Sequence, residues 1–120
     1  MFLQSYTLPS WEFVAGEDKE QQITLRHMDG SLYDLGAASV QLTIGDFVNR
    51  GAAPVHTSEQ EIIDDANGNS CILQLSLSGA DTKSMHGKYL YVVTITDTEG
   101  NVAKLRGPMI VYDDAKYVKG

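Results

Sequence analysis

Along most of this chain apolar and polar residues alternate with a period of two. From Tyr89 to Ile95 the alternation sets Tyr89, Tyr91, Val93 and Ile95 on one face, and tyrosines and β-branched residues fill the run Gly87 to Thr96. That period and composition predict a strand. Asp97-Thr98-Glu99-Gly100 is a polar turn ending in glycine, and the apolar run Val102 to Tyr112 is expected to fold back antiparallel. Gly107-Pro108 interrupts this second run, which is therefore expected to bend or bulge and to lie near a sheet edge.

The same period recurs earlier. Ile23 and Leu25 face one way within Gln21 to His27, Val40, Leu42 and Ile44 within Ser39 to Ile44, and Cys71, Leu73, Leu75 and Leu77 within Ser70 to Leu77. Trp11 to Val14 is expected as a first strand. Val55 to Ile63 is the most ambiguous stretch. Thr57-Ser58-Glu59-Gln60-Glu61 carries a hydroxyl cap with a Glu three residues on, but the run is short and broken, and a strand ending at Ile62-Ile63 is expected. Turn residues punctuate these runs at Gly16 to Glu20, Asp29-Gly30, Gly45 to Pro54 and Asp64 to Asn69. Leu32 to Ala37 is expected as a corner crossing to the next strand. No amphipathic helix is expected. About seven short strands between Gly, Asp and Asn turns predict an all-β sandwich.

One local arrangement sharpens this. Asp81, a short turn, Gly87 and then Tyr89-x-Tyr91 are similar to the tyrosine corner of immunoglobulin-like sandwiches, in which a tyrosine hydroxyl turns back to the preceding corner. Tyr89 is placed for that role, with Asp81 as its corner residue, and Tyr91 stands where antibody domains carry a cysteine. The plainer alternative is a hairpin with two aromatics on one face. The expected fold is an immunoglobulin-like antiparallel β-sandwich of about seven strands over residues 14–112. Residues 1–13 form an aromatic arm or first strand, and 113–120 form a polar tail.

At 120 residues the chain is expected to form one domain with a core that needs no staples. The lone Cys71 rules out an internal disulfide. A net charge of -7 and nine dispersed Lys and Arg argue against nucleic acid, which calls for a basic stripe. No apolar run is long enough to span a membrane as a helix. Met1 to Pro9 lacks the basic and continuous apolar regions of a signal peptide, so synthesis in a cytoplasm is expected, with exit only as part of an assembly.

Candidate chemistry is sparse. Asp65, Asn67 and Asn69 alternate as in a calcium loop, but Ser70 and Ser76 stand where an EF-hand carries Gly and Glu, so a turn is expected. His27, His56 and His86 lack metal-pair spacing. Cys71 lies on an apolar strand face and is expected to be a small buried hydrophobe. Asp97 and Glu99 sit on one turn, where carboxylates are ordinarily solvated rather than set across a cleft. No phosphate loop is present. No enzyme activity, cofactor or metal is expected.

Residues between Gly16 and Val111 resemble the N-terminal immunoglobulin-like domain of phage baseplate upper proteins and related prophage tail proteins. The resemblance rests on Gly16-Glu17-Asp18 before Ile23-Thr24-Leu25, on Asp29-Gly30-Ser31-Leu32-Tyr33-Asp34-Leu35-Gly36-Ala37-Ala38-Ser39-Val40, on Asn67-Gly68 to Leu77, on Asp81-Thr82 leading to Gly87-Lys88-Tyr89, and on Asp97-Thr98-Glu99-Gly100. Phe2 to Phe13 lies outside it, and members of that family usually continue into long downstream regions. The resemblance implies a virion structural protein, made in the bacterial host cytoplasm and assembled into a tail or baseplate. It would act by contacts with other tail proteins or with copies of itself, with no catalytic residues. Phe2, Tyr6, Trp11 and Phe13 are the candidate interface arm, with Tyr112 and Tyr117 near the other end; sheet edges also permit strand addition. The alternative function is a carbohydrate-binding or adhesion module, whose exposed aromatics would stack on sugar rings.

Overall fold

The computed structural model describes residues 8–26, 36–46 and 53–112. The strands are β1 (Trp11–Val14), β2 (Lys19–Thr24), β3 (Ser39–Asp46), β4 (His56–Asp64), β5 (Ser70–Leu77), β6 (Gly87–Thr96) and β7 (Val102–Tyr112), with a one-turn helix α1 (Gly79–Thr82) between β5 and β6. Hydrogen bonding runs in the order β1-β7-β6-β3-β4-β5-β2. All pairs are antiparallel except β1 with β7.

This ribbon of strands is folded into two layers at β4. The first part of β4 pairs with β3, from Ile44↔His56 to Val40↔Gln60. Its last part pairs with β5, from Glu61↔Gln74 to Asp64↔Ser70, with a register shift at Ile63/Asp64. One strand thus serves both layers. Inward residues of the β4-β5-β2 layer (Ile23, Leu73, Leu75, Leu77) meet those of the β1-β7-β6-β3-β4 layer (Phe13, Val40, Leu42, Ile44, Val93, Ile95, Leu105, Val111) in a single core cluster. The fold is an immunoglobulin-like β-sandwich. Apolar residues at period two give each strand one buried face, and burying those faces against each other is the main driving force.

The expected strands at Trp11 to Val14 and Ser70 to Leu77 have the observed bounds, and β3 runs two residues beyond Ile44. β4 is longer than the short strand expected, since it serves both sheets. β7 departs from expectation: it pairs with β6 from Thr96↔Val102 to Gly87↔Val111 without a register shift. The reason lies in which way Pro108 faces. The Leu8 N–H donates to the Arg106 carbonyl at 2.8 Å, so Arg106 directs its backbone groups away from β6. Pro108, two residues on, faces the same way, and its missing N–H costs the β6–β7 ladder nothing.

A helix was not expected, and α1 has a physical cause. The Ser78 hydroxyl accepts from the Asp81 N–H while the Asp81 carboxylate accepts from the Ser78 N–H at 3.2 Å, a reciprocal capping box. Thr82, fully buried, clips this turn to the β1–β2 turn: its hydroxyl accepts from the Gly16 N–H at 3.0 Å and donates to the Glu17 carbonyl at 3.1 Å. Gly79 sits so close to that turn that a Cβ would lie 2.4 Å from the Gly16 oxygen.

Candidate interaction surface

The residues singled out from the sequence fall into separate places. Phe2, Tyr6 and Tyr117 lie outside the described residues, as do His27, the Asp29-Gly30 turn, Leu32 to Leu35 of the corner, and the 113–120 tail. Trp11 and Phe13 are corrected as an exposed arm: they are 5% and 3% exposed. Both point inward from β1, and Trp11 makes edge-to-face contacts with Phe13 at 5.7 Å and Tyr91 at 5.5 Å. Alternation in a four-residue strand sends both aromatics to the core. Tyr112 is on the outer side of β7 and is 39% exposed; its hydroxyl donates to Glu12 at 2.9 Å.

Tyr89 makes the reach-back of a tyrosine corner, its hydroxyl accepting from the His86 N–H at 3.0 Å. Asp81 takes no part in that bond, being engaged with Ser78. The buried tyrosine is Tyr91, whose hydroxyl donates to the Pro9 carbonyl. Burial pushes its pKa up to about 12, against a smaller lowering from the Gln21 side chain.

The two acidic turns share one construction. The Asp65 carboxylate accepts from the N–H groups of Asn67 (2.8 Å) and Asn69 (3.0 Å) and from the Asn69 side chain. The Asp97 carboxylate accepts from the N–H groups of Glu99 and Asn101, both at 2.9 Å, and from the Asn101 side chain at 3.0 Å. The bond from the Asn69 N–H leads in holding Asp65 below the ordinary carboxylate range, and the Asn101 side chain leads for Asp97. Their oxygens are occupied in stabilising turns. Cys71 is buried and directs its thiol to Asp65 at 3.6 Å. Among the described residues no group of three His, Cys, Asp or Glu could hold a metal ion. No helix among them is long and apolar enough to cross a membrane.

The feature that stands out is the outer face of the β1-β7-β6-β3-β4 layer. On the other layer two outward rows are polar, Glu20 beside Ser76 and Gln22 bonded to Gln74 at 2.6 Å, and the next row carries Thr24, Ile72 and Ile63. On this layer the outward positions of β6 and β7 include Leu90, Val92, Val102, Pro108, Ile110 and Tyr112. Val102 is 55% exposed, and Leu90, Val92 and Ile110 are half-buried. Leu90, Val92, Pro108, Ile110 and Tyr112 adjoin one another; Lys104 and Arg106 set Val102 apart from them, Lys88 stands beside Ile110, and Glu59 lies out on β4. The sequence carries the same signal: Tyr89-Leu90-Tyr91-Val92-Val93 is apolar on both faces of β6, whereas a strand with one wet face should be polar on it.

No family model matches this chain, and no curated protein matches it. Among solved structures it is similar to CopC from Methylosinus trichosporium OB3b, at 12% identity over 90% of this chain and 89% of that one, with a TM-score of 0.46. It is similar to a putative glycoside hydrolase from Bacteroides vulgatus ATCC 8482 at 14% identity and a TM-score of 0.46, over 92% of this chain but only 19% of that protein's length. It is also similar to the fibronectin(III)-like modules of Clostridium thermocellum CbhA, at 12% identity over 91% of this chain and 95% of that one, with a TM-score of 0.41. The fold class rests on the strand order and pairing described above.

Proposed function

We propose that this domain is a non-enzymatic protein–protein interaction module, a structural part of a phage or prophage tail or baseplate. Its contact surface is the outer face of the β1-β7-β6-β3-β4 layer. The observation that carries the interaction reading is the apolar field over β6 and β7, on a layer whose opposite face already supplies the core. Contiguous exposed apolar surface on a small domain marks a place where another molecule docks. The tail role rests on the resemblance in sequence between Gly16 and Val111. A carbohydrate-binding role has less support, because Tyr112 is the one exposed aromatic among the described residues.

The test is incorporation. Particles released by the strain that encodes this chain are purified and their proteins identified by mass spectrometry. The chain is expected in the tail fraction, and a folded Val92→Glu variant is expected to be lost from it. An expressed, folded chain that never enters particles would overturn the tail role, and specific binding on a glycan array in that case would favour the adhesion module.

A further inference from the structure

We propose that the outer face of the β1-β7-β6-β3-β4 layer pairs with the same face of a second copy, about a two-fold axis that runs along the strands between β3 and β6. The proposal rests on the interaction reading of this face and names the partner.

The strand registers set out the face in rows. Glu59, Gln41, Thr94 and Lys104 form one row across β4, β3, β6 and β7. Thr57, Thr43, Val92 and Arg106 form the next, and Gly45, Leu90 and Pro108 the one after. Glu59 and Lys104 are exposed at opposite ends of their row. Three strand steps of about 4.8 Å separate them by roughly 14 Å, too far to pair within one copy. A two-fold axis between β3 and β6 reverses the strand order of the second copy. Glu59 of each copy then stands over Lys104 of the other, giving two opposite-charge contacts at the rim.

The middle of the face carries a second, independent sign. Gly45 is the next-to-last residue of β3, and its φ is not in the left-handed region, so the backbone does not require glycine. Among the described residues a Cβ there would meet nothing within 4 Å, so their packing does not require it either. Glycine within a strand weakens it, and often marks a place where another molecule approaches closely. The same axis sets Leu90 of each copy over Gly45 of the other, a side chain over a gap, twice. Val92 then lies over Thr43. The eleven residues of β7, ten of β6, eight of β3 and the five of β4 that pair with β3, at about 3.4 Å each on strands about 4.8 Å apart, give a face of roughly 550 Å² per copy, so the two copies together cover about 1,100 Å², above the roughly 1,000 Å² that a biological interface should clear. Both layers twist, and aligned face packing accommodates that twist.

The test is sedimentation equilibrium on the purified chain, with circular dichroism as the control for folding. The wild type is expected to dimerise. Glu59→Lys and Lys104→Glu are each expected to weaken association at least about ten-fold, because each places like charges together twice. The double variant is expected to restore it. A mixture of the two single variants is expected to form heterodimers, since both of its rim contacts are again opposite in charge. Gly45→Val is expected to raise the melting temperature of the dilute monomer while abolishing association. A wild type that stays monomeric at high concentration, single variants that associate as the wild type does, or a mixture that fails to associate would each overturn the proposal. A monomer still found in particles would overturn self-pairing alone; a dimer absent from particles would overturn the tail role alone.

Discussion

Tyr91 shows how much one position can carry. Its ring fills the core beside Trp11, and its hydroxyl ties the segment before β1 to the sandwich through the Pro9 carbonyl. Burial raises its pKa from 10.0 to about 12, so the native state keeps the phenolic proton after the unfolded chain has lost it. The stabilisation is complete below about pH 10 and is lost as pH rises from there to about 12. Across that interval unfolding should become easier by on the order of 2–3 kcal/mol. Tyr91→Phe should flatten this alkaline decline, and at neutral pH it should cost about 1–3 kcal/mol by leaving the Pro9 carbonyl without its donor. Denaturant titrations of both proteins between pH 7 and 12 check both effects. Gly107 constrains the same region. A Cβ there would lie 2.8 Å from the Leu8 oxygen and 3.0 Å from the Tyr91 ring, so a small residue is needed where the chain's start crosses β7.

At the scale of elements, the turns between β4 and β5 and between β6 and β7 are built on carboxylates whose hydrogen bonds are stronger when they are ionised. Asp65 and Asp97 both titrate below the ordinary carboxylate range. Their contribution is present above that range and disappears as pH falls through it. Stability should therefore decline in acid, and Asp97→Ala should show a lower melting temperature at neutral pH with a shallower acid decline, as followed by calorimetry from pH 7 to 2. The alternation of β1, β3, β5 and β6 was legible in the sequence, since a strand facing a core on one side has little freedom in its pattern. The dual role of β4 was not, because its inward residues His56, Ser58 and Gln60 are polar and half-buried. Ser58 bonds His56 and Gln60, each two residues away, while Gln60 also exchanges bonds with the Ser76 backbone, a partner that only the fold brings near. The helix α1 had a readable signal in Ser78-x-x-Asp81, but one turn is too short to show helical periodicity.

Over the whole molecule, the two faces of one layer behave oppositely. Val93 points into the core and is fully buried, while its neighbour Val92 points to the outer face. Val92→Glu should leave the melting temperature within a few degrees of the wild type, and Val93→Glu should unfold the domain, because an unpaired charge in the core costs far more than a domain's margin of stability. Thermal melts of the two variants distinguish a surface kept apolar for a partner from one kept apolar for folding.

The sequence by itself determined the strand repertoire, the turns and the sandwich class, because period-two burial and turn dihedrals are local constraints that residues express one by one. Only the tertiary structure decided which aromatics are core and which are surface. Trp11 and Phe13 are buried because β1 docks beside β7 with its inner side against Tyr91, a contact about eighty residues distant along the chain that no local pattern encodes. It also decided that Glu59 and Lys104 share a row with Gly45 and Leu90 close by, since that row exists only once four strands are in register.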